Sequence, residues 1–195
     1  MNSSLTYVEG RLHEACLDLL LGAGTYGAST LLKVDIQFHR HNRLDIALVK
    51  NHPLALIFLP AADIPRFVAE GNVHLGITGQ DQVAEFKNFV EEGHGEIHEI
   101  LELGFGKCKL QVQVPEEGDI SDVRQLVGKR VVSSFTGVSR KYFEGLDKGQ
   151  GVKTQIKYVG GSVEAACALG VADGIVDLVG IPPCFPFAFG CELRV

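Results

Sequence analysis

The sequence predicts an α/β fold with mainly parallel sheets. Short apolar strands alternate with amphipathic helices along most of the chain, the pattern of repeated strand–helix–strand units. Leu54-Ala55-Leu56-Ile57-Phe58-Leu59 is a near-continuous apolar run, the composition of a strand buried on both faces. The alternation occurs once before Gly104-Phe105-Gly106-Lys107-Cys108 and again after it, so that stretch is the candidate crossing between two lobes.

Taken in order, residues 5–8 read as a short strand and residues 13–21 place apolar side chains at helical spacing, stopped by Gly22 or Gly24. Residues 35–38, 44–49 and 54–59 read as strands. A helix is expected from Asp63-Ile64-Pro65, where proline suits a first turn, and it ends before Gly71. A short strand at 74–78 runs into Gly79, and helical spacing returns over 80–89. Strands are expected at 97–103 and 109–114, on either side of the crossing. Beyond it come a strand over 130–135, a helix over 138–146 and a strand over 154–159. A helix over 163–169 with Ser162 as its N-cap, then a strand over 174–179, complete the series.

The composition narrows the function classes. With 195 residues the chain has material for one large domain or two small lobes around a buried core. Its 46% hydrophobic and 22% charged residues are ordinary for a soluble globular protein. A net charge of -6 sets up no field that draws nucleic acid or an anionic membrane, so a phosphate-bearing ligand must be held by local groups. No apolar run approaches the roughly 18 residues that span a bilayer. The opening residues show no basic segment followed by an apolar one, so no secretory signal is visible. Five cysteines without a CxxC pair, three of them (Cys16, Cys108 and Cys167) within apolar patterns, read as reduced thiols of a cytoplasmic protein.

Four constellations carry chemistry. In Leu75-Gly76-Ile77-Thr78-Gly79 a strand stops at a hydroxyl and a glycine before a helix, where backbone N–H groups can cradle a phosphate or meet a base. A tight strand–helix turn accounts for it equally well. Gly160-Gly161-Ser162-Val163-Glu164 offers free N–H groups at a helix start, and plain capping again explains Ser162 and Glu164. Asp173-Gly174-Ile175-Val176-Asp177 puts two acids on one face of a strand. At a strand's carboxyl end such a pair can accept hydrogen bonds from vicinal ribose hydroxyls; solvated loop acids are the alternative. The fourth, Arg130-Val131-Val132-Ser133-Ser134-Phe135-Thr136-Gly137, is a basic strand ending in hydroxyls that can line a phosphate site. Two further patterns carry nothing. Gly22-Ala23-Gly24-Thr25-Tyr26-Gly27 follows a helix, whereas the dinucleotide fingerprint must follow a strand. His39 and His41 lack the acidic or thiol companions of a metal site, His94 and His98 lie in a polar surface stretch, and all four read as solvated.

Together these segments resemble the ATP phosphoribosyltransferase family, above all its fungal members. The resemblance rests on Gly10-Arg11-Leu12, Leu44-Asp45-Ile46-Ala47, Phe58-Leu59-Pro60-Ala61-Ala62-Asp63-Ile64-Pro65 and Leu75-Gly76-Ile77-Thr78-Gly79. It continues through Gly104-Phe105-Gly106-Lys107-Cys108-Lys109-Leu110, Gly161-Ser162-Val163-Glu164 and Ala172-Asp173-Gly174-Ile175-Val176-Asp177-Leu178-Val179. It implies two α/β lobes like those of periplasmic binding proteins, with the active site in the cleft between them. It implies a pentosyltransferase that opens histidine biosynthesis: N1 of the ATP adenine attacks C1 of phosphoribosyl pyrophosphate and pyrophosphate leaves with Mg2+. By the same resemblance Asp173 and Asp177 hold the ribose hydroxyls, and Glu164 lies beside that sugar and the metal. Gly161, Ser162 and Ser134 line the sugar-phosphate side, and Arg11, Thr78 and Gly79 serve ATP and pyrophosphate. Dimers assembling into hexamers are also implied.

The chain departs from the family after Val179. There the family carries a Ser/Thr-Gly-x-Thr loop whose N–H groups and hydroxyls grip the 5′-phosphate. This chain reads Gly180-Ile181-Pro182-Pro183-Cys184-Phe185-Pro186, and proline has no N–H to donate. Glu9 replaces a lysine, His74 replaces an aspartate, and residues 25–33 read as an insertion. The expectation is a first lobe over 1–103 without its return segment, a second lobe over 104–179, and an aberrant, poorly ordered tail over 180–195. Such a tail leaves apolar surface of the first lobe uncovered, and feedback by histidine is not expected. A second reading keeps the fold and drops the chemistry: a nucleotide-binding remnant or accessory subunit that takes ATP or AMP at residues 76–79. A solute-binding protein is disfavoured by the lack of an export signal, and nucleic-acid binding has no support in charge or aromatic pattern.

Overall fold

The computed structural model describes residues 3–9, 12–20, 36–40, 45–89, 95–116, 118–180 and 192–193. Gly10, Arg11, the pattern at 22–27, the insertion at 25–33, His41, His94 and residues 181–191 lie outside them. The chain forms two compact units, Met1–Phe86 with Val90–Gly106, and Lys87–Phe89 with Lys107–Val195.

The first unit holds β1 (Ser3–Glu9), α1 (His13–Leu20), β2 (Ile46–Leu48), β3 (Leu54–Pro60), α2 (Ile64–Ala69), β4 (Leu75–Gly76) and most of α3 (Gln80–Phe89). Its sheet runs β2-β3-β1-β4, with β1 parallel to both β3 and β4 and β2 antiparallel to β3. The apolar stripe of α1 supplies Cys16 and Leu20 to a core with Ala47, Leu56 and Phe58. Burial pushes the Cys16 thiol up to about 11, so it packs as a small protonated apolar group. The apolar run of β3 is a central strand, as its composition requires, although Leu56 and Phe58 on one face are the fully buried pair.

Two expected elements differ here. Of the strand expected at 35–38, the described residues 36–38 form a single bridge, between Phe38 and Val49. The strand expected at 97–103 does not form: those residues carry no ladder among the described residues, and Ile100 and Leu101 are 74% and 70% exposed. β-branched and apolar composition specifies a strand only where a neighbour offers its backbone groups. The chain passes between units at Gly106–Lys107, with φ of +76° at Gly104 and +68° at Gly106. The left-handed backbone favours glycine at 106, and a side chain there would also displace the end of the Leu12 side chain.

The second unit holds β5 (Cys108–Gln113), β6 (Arg130–Ser133), α4 (Thr136–Asp147), β7 (Gln155–Tyr158), α5 (Ala165–Ala168), β8 (Gly174–Gly180) and β9 (Glu192–Leu193). Its sheet is mixed, in the order β7-β6-β8-β5-β9. β6 pairs in parallel with β7 and β8, while β5 pairs antiparallel with β8 and β9. β9 departs from the expected tail: Leu193 and Glu192 pair with Leu110 and Gln111, using backbone groups that β5 would otherwise leave open. α5 is four residues rather than the seven expected, and Ser162 is not its N-cap; Glu164 holds that position without a side-chain cap bond. Val132, Val163, Ala166, Ala172 and Ile175 form the core on the α5 face of the sheet. No helix among the described residues is long and apolar enough to cross a membrane.

Candidate active site

The topology of the second unit picks out one end of its sheet. From β6 the chain crosses through α4 to β7, and from β7 it returns through α5 past β6 to β8. Right-handed crossovers in opposite directions put α4 and α5 on opposite faces. The carboxyl ends of β6 and β7 therefore open a crevice where the strand order reverses, the place where α/β sheets bind ligands. Ser134 leaves β6 at that crevice and Gly160-Gly161-Ser162-Val163-Glu164 leaves β7 there.

The β6–β8 register sets Ser133 beside Val176, so continuing one residue brings Ser134 level with Asp177, about 5 Å away. Ile175 packs in the α5-side core, and alternation puts Asp177 on that same face. The sequence-predicted residues Ser134, Gly161, Ser162, Glu164 and Asp177 thus cluster on one end of one sheet. Ser133 is spent on the fold: its buried hydroxyl donates to the Val176 carbonyl at 2.7 Å and accepts from the Phe135 N–H at 2.9 Å.

Asp173 lies elsewhere. It precedes β8, at the amino end, roughly 13 Å along the strand from Asp177. Arg130 takes both of its oxygens: backbone N–H and Nε donate to Oδ2 at 2.9 and 3.1 Å, and Nη2 donates to Oδ1 at 3.0 Å. The Asp173 N–H returns a bond to the Arg130 carbonyl at 2.8 Å, and Nη1 reaches the Gly170 carbonyl at 3.0 Å. The Arg130 side-chain and backbone donors hold the Asp173 carboxyl below its ordinary value. The two acids share a face, as their spacing requires, but vicinal hydroxyls about 3 Å apart cannot reach both. Arg130 is likewise at the far end of β6 from Ser133 and Ser134, so this basic residue does not join the hydroxyls of its own strand.

The loop after β7 stores backbone strain. Ser162 has φ of +50°, left-handed backbone that a residue with a Cβ adopts at a cost of about 1–2 kcal/mol. Gly161 is not in a positive-φ conformation, and a Cβ on it would meet nothing within 4 Å. Neither backbone nor packing asks for glycine at 161. Glu164 is exposed at the start of α5.

In the first unit, the Thr78 hydroxyl donates to the Ala61 carbonyl at 3.0 Å, tying the end of β4 to the turn after β3. A side chain at Gly79 would run into the Asp81 carboxylate, which sits in the first turn of α3. An acid there already answers the positive end of the helix. Gln111 also lies near Asp177. In Cys-Lys-Leu-Gln-Val-Gln the polar residues look like an ordinary solvated face, and only the register puts Gln111 opposite Asp177.

The family model of ATP phosphoribosyltransferase (HisG) matches residues 60–181. The chain belongs to the ATP phosphoribosyltransferase family. Every candidate residue except Arg11 falls within the span that this family model covers. The chain is 60% identical over 174 residues to an ATP phosphoribosyltransferase of Yarrowia lipolytica, covering 88% of this chain and 52% of that one. It is 58% identical over 172 residues to that of Candida albicans, covering 88% of this chain and 51% of that one. The chain thus spans about half the length of the curated relatives it matches. Among solved structures, the ATP phosphoribosyl transferase (HisG:HisZ) complex from Thermotoga maritima matches with a TM-score of 0.67 at 21% identity. That match covers 91% of this chain and 74% of that one, and it shows a shared fold.

Proposed function

We propose that this protein transfers the 5-phosphoribosyl group of phosphoribosyl pyrophosphate to N1 of ATP, the first step of histidine biosynthesis. The family match over residues 60–181 carries this reading, and the order of the strands, which brings Ser134, Gly161, Ser162, Glu164 and Asp177 toward one end of one sheet, supports it. In the reaction the bond from C1 to the pyrophosphate oxygen breaks, the bond from N1 to C1 forms, and the pyrophosphate carries away the electron pair. Catalysis of this kind needs positioning and charge stabilisation more than covalent help.

Asp177 accepts a ribose hydroxyl, and its Oδ1 is steadied by the Leu178 N–H at 2.8 Å. Gly161 and Ser162 let the sugar-phosphate pass close to the backbone. Asp173, engaged by Arg130 at the amino ends of β6 and β8, braces the sheet rather than touching the sugar. Mg2+ usually keeps one or two carboxylates plus substrate phosphates, and no cluster of three acidic, histidine or cysteine ligands occurs among the described residues. That donor set fits a metal delivered with its pyrophosphate, and Glu164 is the carboxylate that would complete it. Thr78 already donates its proton to Ala61, so its oxygen is left to accept, which suits the adenine amino group better than a phosphate. Gly79 and Arg11 belong to the same ATP and pyrophosphate side. The two units correspond to the two lobes of the fold, and the subunits pair as dimers that build hexamers in the cytoplasm.

One sequence feature favours a second reading, nucleotide binding without transfer. Pro182 and Pro183 stand where the family's phosphate loop supplies N–H donors. Pyrophosphate release from ATP, phosphoribosyl pyrophosphate and Mg2+ separates the two. Turnover that falls about 100-fold in Asp177→Ala supports transfer. Nucleotide binding with no turnover by the folded chain supports the second reading.

A further inference from the structure

The sheet of the second unit carries a cation beside the candidate crevice. In the antiparallel ladder of β5 and β8, Lys109 pairs with Val179 and Gln111 pairs with Asp177. Directly paired residues share a face, and side chains two apart on one strand return to it. Lys109, Asp177 and Val179 therefore stand on one face, the one on which Ile175 packs beneath α5. Leu110 and Val112, both buried, turn to the other. Lys109 and Asp177 are diagonal neighbours across the ladder, about 7–8 Å apart at the backbone and within reach of long side chains. Lys109 is exposed, and it lies on the side of Asp177 toward the carboxyl end of β8.

An anion held at that end needs local donors, because a net charge of -6 supplies no general field for it. Beyond Gly180 the sequence runs Ile181-Pro182-Pro183, and neither proline has an N–H to give. A lysine offers what these residues lack, a point charge with three N–H donors on a long flexible stem. Lys109 and Asp177 each have an interaction within the protein already. One such contact still leaves an exposed ammonium further N–H groups for an anion that arrives from solvent. A carboxylate and an ammonium on adjacent strands also match the polarity of a sugar phosphate, with hydroxyls at one end of the pentose and a dianion at the other. We propose that Lys109 is a substrate-contacting residue whose Nζ donates to the 5′-phosphate of the phosphoribosyl group. This rests on the reading of the crevice as the phosphoribosyl site, and it gives the phosphate a holder on β5 rather than in the segment after β8.

The test compares the full chain with Lys109→Met, which keeps the apolar stem, and Lys109→Arg, which keeps the charge. Calorimetry reads the binding of phosphoribosyl pyrophosphate and of inorganic pyrophosphate, each with Mg2+, and ligand-free melting temperature is followed alongside. Lys109→Met should bind phosphoribosyl pyrophosphate about tenfold more weakly than the parent, the size of one lost charge-assisted hydrogen bond. Its affinity for inorganic pyrophosphate should stay the same, since that probe has no 5′-phosphate, and Lys109→Arg should recover most of the loss. A merely structural role predicts a fall in melting temperature with equal losses for both probes, and that result overturns the assignment. Lys109→Met that binds phosphoribosyl pyrophosphate as tightly as the parent overturns Lys109 alone and leaves the crevice reading standing. A parent chain that does not bind phosphoribosyl pyrophosphate removes the crevice reading, and this assignment with it.

Discussion

Asp173 meets three donors from one partner, the backbone N–H, Nε and Nη2 of Arg130, and the pair closes a clamp between the amino ends of β6 and β8. Its depressed pKa fixes the sign of a pH effect. The folded state binds its proton less readily than the unfolded chain does, so the clamp stabilises above the ordinary aspartate range. That contribution is lost as pH falls through the depressed value. Asp173→Asn should lower the melting temperature by on the order of a few degrees at pH 7. The gap from the parent should close as the pH drops below the ordinary aspartate value of 3.8. A gap that persists unchanged in acid would locate the effect in packing. Asp177, on the same face, accepts a bond from the N–H of Leu178 at 2.8 Å. Paired acids at spacing four were legible as sharing a face. Which of them was engaged by an arginine 43 residues away was not, because ion pairing depends on the register of two strands.

Elements with strong local periodicity sit where the sequence placed them. α3 covers Gln80–Phe89, the expected span, and α4 covers Thr136–Asp147, wider than its expected core by two residues at the start and one at the end. The α4 stripe buries Phe143 at 1% exposure, edge-on to Tyr142 with ring centroids 5.3 Å apart. Truncation there removes apolar contact and leaves a cavity, so Phe143→Ala should cost about 3–5 kcal/mol. A urea midpoint that barely moves would mean that α4 does not anchor this unit. Elements whose existence depends on partners were less legible. The strand expected at 97–103 has the right residues but no ladder among the described residues, and α5 is four residues long, with Ser162 at φ of +50° in the loop before it. Neither missing neighbours nor left-handed serine can be read from propensity.

Across the whole molecule, apolar surface remains on the first unit. On β2, Ala47 turns inward while Ile46 and Leu48 are 55% and 71% exposed. Exposed apolar strands favour self-association. Leu48→Lys should therefore reduce concentration-dependent light scattering without lowering the melting temperature, since the side chain gives up no buried contact. Scattering that stays the same would assign association to another surface. The sequence by itself determined the α/β class, the helices of clear period, the family, and the types of residue that chemistry with a sugar phosphate requires. These follow from local pattern and from motif order, both carried along the chain. Only the tertiary structure decided which residues stand together. Strand order put Ser134 and the loop after β7 at one crevice, and register put Gln111 beside Asp177 and Arg130 beside Asp173. Hydrogen bonds between strands join residues far apart in sequence, and a shift of one residue would turn every side chain to the opposite face.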